Sequence, residues 1–336
     1  MEIHARHGWL QQIFTWETAW LLSALCLALF TFLRFVRSLA GRRQDDSKRL
    51  PPGPKGVPIL GYIPFMRKPL HIIFHELSKQ HGPIVRLRLG CKDVVALNDL
   101  ESIREGLSNP DLLYRPGRFH LSLPGDKSAL LGRYRDQPVR RIDKHCTKQH
   151  TLEFVYRCKR SRRPPETLQC EIDRAVGRNR SPEWKDRHSM PYTMASILET
   201  LRWRTLAPLS IHRAAGRDTV IGGYRIPAGT LVVPNLWSLH NDPAHWVDPS
   251  KYDPTRFLNA DGTMVNEKPQ AFAPFSLGRR ACPGESLALM EIFLYVTIVL
   301  QKFKVLPEQG ATLSLDVQLV LVAAPNDEQG LRFIPR

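Results

Sequence analysis

Cys282 lies in a segment whose residue types suit a reactive or metal-binding thiol. The segment reads AFAPFSLGRRACPGESLALMEIF and leads into a strongly apolar helical pattern. A thiol beside a predicted helix N-terminus and next to Arg279 and Arg280 lies in positive potential, which favours the thiolate. The thiolate is the form that binds metals and attacks electrophiles. We therefore predict that Cys282 is a metal ligand or a nucleophile, with an ordinary buried cysteine as the alternative.

The residues around this thiol form the pattern F-x-x-G-x-R-x-C-x-G, through Phe275, Gly278, Arg280, Cys282 and Gly284. The pattern resembles the haem-binding loop of the cytochrome P450 family, and its five fixed positions match by chance with a probability on the order of 10⁻⁴. The resemblance implies that Cys282 is the axial iron ligand of haem b (iron protoporphyrin IX), with the other four residues in the same loop. Glycines suit such a loop because they let the backbone pass close to a flat partner.

A Glu-x-x-Arg pair, Glu199 and Arg202, precedes this loop in the chain. Taken alone, such a pair on a helix is a surface interaction worth roughly a few tenths of a kcal/mol. Its order in the chain gives it more weight, because YDPTRF at 252–257 follows it and resembles the P-x-R-F segment of the family. The resemblance implies that Glu199 and Arg202 lock to Arg256 and hold the cysteine loop, which is a structural role.

Arg213 follows Arg202 at a spacing where microsomal members of the family carry a His or Arg for a haem propionate. The resemblance implies that Arg213 and Arg280 bind the two propionates. A solvated Arg213 is the alternative, because sequence spacing gives no direct geometry.

Two motifs of the family are not found in their places. A-G-x-x-T matches only at 215–219, after Arg202 and running into a predicted strand, so we assign it no role. W-x-x-x-R is also missing, because DQPVRR at 136–141 places Pro138 close to where the Trp should be. The resemblance therefore implies a truncated or variant chain that lacks the central distal segment, and we assign no catalytic residue beyond Cys282.

The hydrophobic patterns predict the elements that must position these residues. Helices are predicted at 71–80, after Asp99 as an N-cap, around 168–177, near 194–206 and at 285–303, the last as the central core helix, and strands at 84–90, 93–99, 219–226 and 229–236. Together with the resemblance, they indicate a mainly α fold with a small β-sheet region, an incomplete cytochrome P450 fold.

The N-terminal region contains sixteen uncharged residues at 18–33, with Trp16 and Trp20 at its N-terminal end and Arg34 directly after it. Aromatic flanks and a basic residue that reaches the interface favour a transmembrane helix. A cleaved signal peptide is the alternative, but the basic residues follow the apolar run and do not precede it. The prediction is a single N-terminal anchor in the endoplasmic reticulum membrane, with the body facing the cytosol.

The predicted division of the chain follows these patterns. It comprises an anchor at 1–36, a basic and Pro-rich hinge at 37–61 that acts as a spacer, an N-terminal helix and sheet part at 62–123, an irregular basic segment at 124–167 in place of the missing central helices, and a haem-binding part at 168–336. The hinge and the anchor point to a microsomal member of the family. Six scattered cysteines fit a reducing compartment.

Half of the net charge of +16 lies in residues 127–167. Nucleic-acid binding through the basic run at 157–163 ranks last among the functions we consider, because the run lacks interleaved aromatic residues and belongs to a chain with a predicted anchor. We therefore predict no nucleic-acid partner.

The resemblance implies a haem-dependent monooxygenase that inserts one oxygen atom from O2 into an apolar organic substrate. Its implied partners are the lipid bilayer and a membrane NADPH-dependent flavoprotein reductase, for which a basic surface around the cysteine loop is the expected docking face. The alternative is a catalytically inactive, truncated family member with weak or no haem binding. Sterols, fatty acids and foreign compounds all stay open as substrates, because the segments that would line the pocket are absent or unrecognisable.

Overall fold

The computed structural model describes residues 20–21, 23–32, 34, 50–114, 165–309, 317–319, 323–325 and 331–336. The chain divides into two compact units, residues 1–49 and residues 50–336. Most of the predicted irregular segment at 124–167 lies outside the described residues, and so does DQPVRR at 136–141.

In the first unit, the described residues 20–21, 23–32 and 34 are helical. Among the residues that the structure describes, no helix has both the length and the apolar composition of a candidate membrane span. The predicted transmembrane helix is therefore not found among the described residues.

The second unit begins with a helix, a hairpin and a second helix, as the sequence pattern predicts. These elements are α1 (Leu70–His81), β1 (Ile84–Leu89), β2 (Lys92–Leu97) and α2 (Leu100–Ser108). The hairpin turns at Gly90, whose φ of +58° favours glycine. Asp99 caps α2 as predicted, because its side chain accepts the Ser102 N–H at 3.1 Å.

The Pro-rich segment 50–61 is held against β1. Arg86 N–H donates to Pro52 O at 2.8 Å, and Gly90 N–H donates to Leu60 O at 3.0 Å. These backbone bonds dock residues of the predicted hinge at 37–61 on the sheet.

Four further helices carry or support the candidate site. They are α3 (Pro165–Ala175), α4 (Pro191–Trp203), α5 (Leu236–His240) and α6 (Glu285–Lys302). The sequence predicted α3, α4 and α6, although α4 starts and ends about three residues before the predicted range. The five-residue helix α5 was not predicted.

The largest sheet joins sequence regions that lie far apart. Its strand order is β1-β2-β6-β3, with β3 at Arg213–Ala214 and β6 at Leu231–Pro234. Strand β6 runs parallel to β2 and antiparallel to β3. Three two-stranded antiparallel pairs complete the described sheets: β4 (Thr219–Ile221) with β5 (Tyr224–Ile226), β7 (Phe303–Pro307) with β10 (Leu331–Pro335), and β8 (Val317–Leu319) with β9 (Ala323–Pro325). The described fold is thus mainly helical with small sheets.

Helix α4 is the most deeply buried element around the candidate site. Nearly every residue from Tyr192 to Arg202 is buried. Its N-terminus is held by Glu171 of α3, whose carboxylate accepts the Tyr192 N–H at 2.9 Å and the Thr193 N–H at 2.7 Å. A carboxylate at this end satisfies free N–H groups and complements the helix dipole. The position of α4 is thereby fixed at its start and along its length.

Candidate functional site

Helix α4 places Glu199 and Arg202 one turn apart in the protein interior. Both side chains are fully buried. Arg202 Nε donates to Glu199 Oε2 and Arg202 Nη2 donates to Glu199 Oε1, each at 2.7 Å. This bidentate geometry is the strong form of an arginine–carboxylate pair. The surface pair that the motif alone would suggest is therefore ruled out by burial.

The remaining N–H groups of Arg202 bind the chain that follows α5. Nη1 donates to His240 O at 2.8 Å and to Pro249 O at 3.0 Å, while Nη2 donates to Lys251 O at 3.3 Å. The guanidinium carbon lies 5.1 Å from the centre of the Trp246 ring, within cation–π range. One buried cation thus anchors the irregular segment between α5 and the cysteine loop.

Arg256 joins the pair from the YDPTRF segment. Its Nε lies 3.4 Å from Glu199 Oε1, and its Nη2 donates to Asp248 O at 3.0 Å. The Asp253 N–H also donates to Glu199 Oε1, at 2.9 Å. The structure therefore brings Glu199, Arg202 and Arg256 into one cluster. We refer to these three residues as the buried triad.

The cysteine loop turns back on itself just before α6. Cys282 N–H donates to Phe275 O at 2.8 Å, and Ala281 N–H donates to Gly278 O at 3.0 Å. Gly284 is the N-cap of α6, and a Cβ built on it would lie 3.9 Å from Cys282 Sγ. Cys282 is exposed. The loop therefore presents a solvent-accessible thiol at the N-terminal end of a long helix, and the buried-cysteine alternative is wrong.

Gly278 is the point at which the loop presses against α2. Its φ is +73°, and a Cβ built on it would lie 2.4 Å from Leu107 O. Both the backbone angle and the close approach require glycine here. The fixed glycine of the motif therefore has a steric reason that does not depend on any ligand.

Gly278→Ala is expected to lower the free energy of unfolding by about 1–3 kcal/mol more than a matched variant without the steric collision. The matched variant is Gly262→Ala, because Gly262 has a φ of +84° but no atom within 4 Å of a built Cβ. The left-handed angle alone costs about 1 kcal/mol in each variant. Urea unfolding followed by circular dichroism measures both values, and equal losses would show that the contact with Leu107 relaxes freely.

Arg213 lies in strand β3 beside the cysteine loop. It is 2% exposed, and its Nη2 donates to Arg280 O at 3.4 Å. The solvated Arg213 that sequence spacing left open is therefore wrong. Arg280 is itself exposed, and the contact from Arg213 is to its backbone carbonyl.

His240 also belongs to this site, although no motif in the sequence includes it. Its imidazole is fully buried, with Nδ1 at 2.7 Å from Thr205 Oγ1 and Nε2 accepting the Ala273 N–H at 3.0 Å. Burial, and then the charge of Arg202, lowers the pKa of His240 to about 3. Only the apolar run before LHNDP could have hinted that this residue is buried.

Several observations bear on which group the site could hold. Among the described residues, no cluster of three or more His, Cys, Asp or Glu side chains could hold a free metal ion. The loop offers the exposed thiol of Cys282 together with the exposed Arg279 and Arg280, and the buried Arg213 contacts its backbone. This donor set suits a metal that arrives in an anionic macrocycle, where the protein supplies a single axial ligand and cations for the carboxylates. The residues present therefore fit haem.

The A-G-x-x-T match at 215–219 has no place in a distal helix. Residues Thr219–Ile221 form β4, as the sequence predicted, and Ala215 is buried next to the sheet. We assign the match no function.

The sequence profile of the family described as Cytochrome P450 matches residues 51–129 and 147–329. The match includes residues 124–129 and 147–167, which belong to the segment predicted as irregular and basic. Similar curated proteins include Cytochrome P450 2U1 of Homo sapiens, 43% identical over 162 residues, which are 48% of this chain and 29% of the relative.

Two other relatives show a similar extent of likeness. Cytochrome P450 2J3 of Rattus norvegicus is 40% identical over 171 residues, 51% of this chain and 33% of the relative. Steroid 17-alpha-hydroxylase/17,20 lyase of Oryzias latipes is 42% identical over 159 residues, 47% of this chain and 31% of the relative. The chain spans about a third of the length of the curated relatives it matches.

Proposed function

The chain belongs to the cytochrome P450 family, and we propose that it is a haem-thiolate monooxygenase of the microsomal type with an apolar organic substrate. Proteins of this family bind haem b. The observation that carries the proposal is the exposed Cys282 thiol, presented at the start of α6 by a loop whose backbone is held at Phe275. When bound, haem supplies the activation of O2 that places one oxygen atom in the substrate.

The residues of this chain bind and orient that group. Cys282 would hold the haem iron through its sulfur, from a free and exposed position just before the N-terminus of α6. Arg213 and Arg280 pair with the two propionates through charge-assisted hydrogen bonds. The contact between Arg213 Nη2 and Arg280 O supports this assignment, because it brings the Arg213 guanidinium to the backbone of the cysteine loop.

The triad positions the loop and takes no part in the chemistry. Its three side chains are buried or nearly so, and they contact carbonyls and each other. The only role of the triad is therefore to keep the shape of the segment between α5 and α6.

The partners follow from the surface and from the relatives. Arg279 is exposed close to Cys282 in the chain, and it forms part of a basic docking face for a membrane NADPH-dependent flavoprotein reductase. The apolar run at 18–33 and the likeness to Cytochrome P450 2U1 and 2J3 support a location at the endoplasmic reticulum membrane with the body in the cytosol. One relative is named for steroid hydroxylation, and sterols, fatty acids and foreign compounds are the substrate classes to test.

Two measurements on the full chain, made one after the other, test the proposal. The chain is expressed with a haem precursor, reduced, and exposed to carbon monoxide, and we expect the Soret band typical of thiolate-ligated haem. Reductase, NADPH and an apolar substrate panel are then added, and we expect a product whose formation depends on reductase. A thiolate band without any product would favour the inactive family member, and an imidazole-type band would contradict Cys282 as the ligand.

A further inference from the structure

His240 connects the buried triad to the start of the cysteine loop. It is the last residue of α5, and its backbone O accepts from Arg202 Nη1 at 2.8 Å. Its ring nitrogens reach two other segments, Thr205 after α4 and Ala273 at the start of the loop. No other described ring in this region bridges these two segments through hydrogen bonds at both of its nitrogens.

The partners of the imidazole fix where its proton lies. Ala273 offers a backbone N–H, so Nε2 must accept there, and the single proton of a neutral ring is then on Nδ1. Nδ1–H donates to Thr205 Oγ1, and the Thr205 hydroxyl donates to Arg202 O at 3.0 Å. An unbroken series of hydrogen bonds thus runs from the backbone of α4 to the backbone of the cysteine loop.

Both backbone polar groups of Ala273 are held by hydrogen bonds. Its N–H is bound by His240, and its carbonyl O accepts the Ser276 N–H at 3.1 Å. The Phe272 ring stacks on the imidazole with ring centres 6.1 Å apart, and Phe257 packs against Phe272 at 5.0 Å. Phe275 precedes Ser276 in the chain, and its carbonyl accepts from Cys282 N–H at 2.8 Å, so the loop backbone connects these two contacts.

We infer that His240 is a positioning residue that sets the start of the cysteine loop relative to the buried triad, acting as a neutral imidazole with its proton on Nδ1. The inference rests on the proposed function only in so far as that loop presents the haem ligand. Through His240, the position of the buried triad influences the position of Cys282. The triad residues themselves make no described hydrogen bond or ion pair with Cys282. Burial and the nearby Arg202 keep the ring neutral at physiological pH, because both lower the pKa of His240.

Two variants separate the acceptor of the ring from its donor. The Gln side chain of His240→Gln can place its amide oxygen where Nε2 accepts, whereas the shorter side chain of His240→Asn retains a donor near Nδ1 and loses that acceptor. If His240 only filled space, the two substitutions would disturb the loop to the same extent. The acceptor role predicts that His240→Gln rescues the loop and His240→Asn does not.

The first readout needs no haem. Hydrogen exchange of the Ala273 amide in the full chain is expected to accelerate about tenfold in His240→Asn, the loss expected for one backbone hydrogen bond. In His240→Gln it is expected to stay within about threefold of the wild type, by the same measure of hydrogen-bond strength. Equal exchange at Ala273 in wild type and His240→Asn would overturn the inference.

The second readout is the thiolate fraction of bound haem, measured from the carbon monoxide difference spectrum per mole of haem. We expect a lower thiolate fraction in His240→Asn and a wild-type fraction in His240→Gln. If the wild type itself lacks the thiolate band, the proposed function fails while the exchange experiment still tests the inference. If His240→Asn does not fold, Thr205→Val takes its place, because that substitution removes the partner of Nδ1–H and leaves the imidazole ring intact. Unchanged hydrogen exchange at the Ala273 amide in Thr205→Val would then count against the inference.

Discussion

Arg202→Ala is expected to lower the free energy of unfolding by about 3–5 kcal/mol, the cost of leaving one member of a buried ion pair without its partner. Glu199 would stay fully buried with its charge opposed only by Arg256 at 3.4 Å. The carbonyls of His240 and Pro249 would also lose their donor. The attraction between the paired charges only offsets the cost of their desolvation. The loss of stability therefore reports the cost of a buried Glu199 carboxylate without its partner more than the net contribution of the pair.

Urea unfolding followed by circular dichroism measures this loss, with Arg225→Ala as the control. Arg225 also donates two hydrogen bonds to a carboxylate, that of Asp218, but both side chains are well exposed. An exposed pair contributes about 0–1 kcal/mol. Losses of equal size in the two variants would show that Glu199 gains water once Arg202 is removed, and the rigid burial described above would be wrong.

Arg202→Lys gives an intermediate case that probes geometry without removing the charge. A lysine ammonium has no planar fork, so it cannot donate to both Glu199 oxygens and to the carbonyls after α5 at once. The segment between α5 and the cysteine loop should then loosen even where the chain stays folded. The shape of this segment therefore depends on the planar geometry of the Arg202 guanidinium as well as on its charge.

Local signals in the sequence predicted the elements whose stability is local. The helix at 71–80, the hairpin at 84–99 and the Asp99 cap all depend on residues within a few positions of one another. Helix α5 does not, because five residues cannot hold a helix without tertiary support. Its N-cap Asn235 accepts the Ser238 N–H and also donates to His71 O and Asn98 Oδ1, more than a hundred residues away.

The motifs gave residue types for the site, but they could not give burial or contact. Arg213 is an example, since its spacing allowed both a solvated side chain and the buried position that the structure has. His240 was missed for the same reason, because its role depends on Ala273, which lies 33 residues later in the chain.

Helix α6 shows a further limit of pattern reading. Its apolar composition predicted a central core helix, yet Leu287 is 49% and Tyr295 56% exposed, while Phe293 and Val296 are fully buried. The helix therefore packs on one side in the described structure. Composition predicts that a helix is apolar, whereas the elements that cover it are set by the rest of the fold.

Cys282→Ala in the full chain is expected to abolish the thiolate-type Soret band seen after reduction and addition of carbon monoxide, because no other described thiol lies in the cysteine loop. Its free energy of unfolding should stay within about 0.5 kcal/mol of the wild type, since Cys282 is an exposed side chain. A spectral loss without a stability loss is the signature of a ligand and not of a packing residue.

Cys170→Ala is the matched control for this experiment, because Cys170 is also a free, exposed cysteine and lies on α3, outside the loop. It should keep the full thiolate band. Comparison with Arg202→Ala then separates two ways of losing haem: the triad variant loses it because the loop is no longer held, together with several kcal/mol of stability, whereas Cys282→Ala loses the ligand from an intact loop. A thiolate band that survives in Cys282→Ala would move the ligand to another cysteine and overturn the assignment of the site.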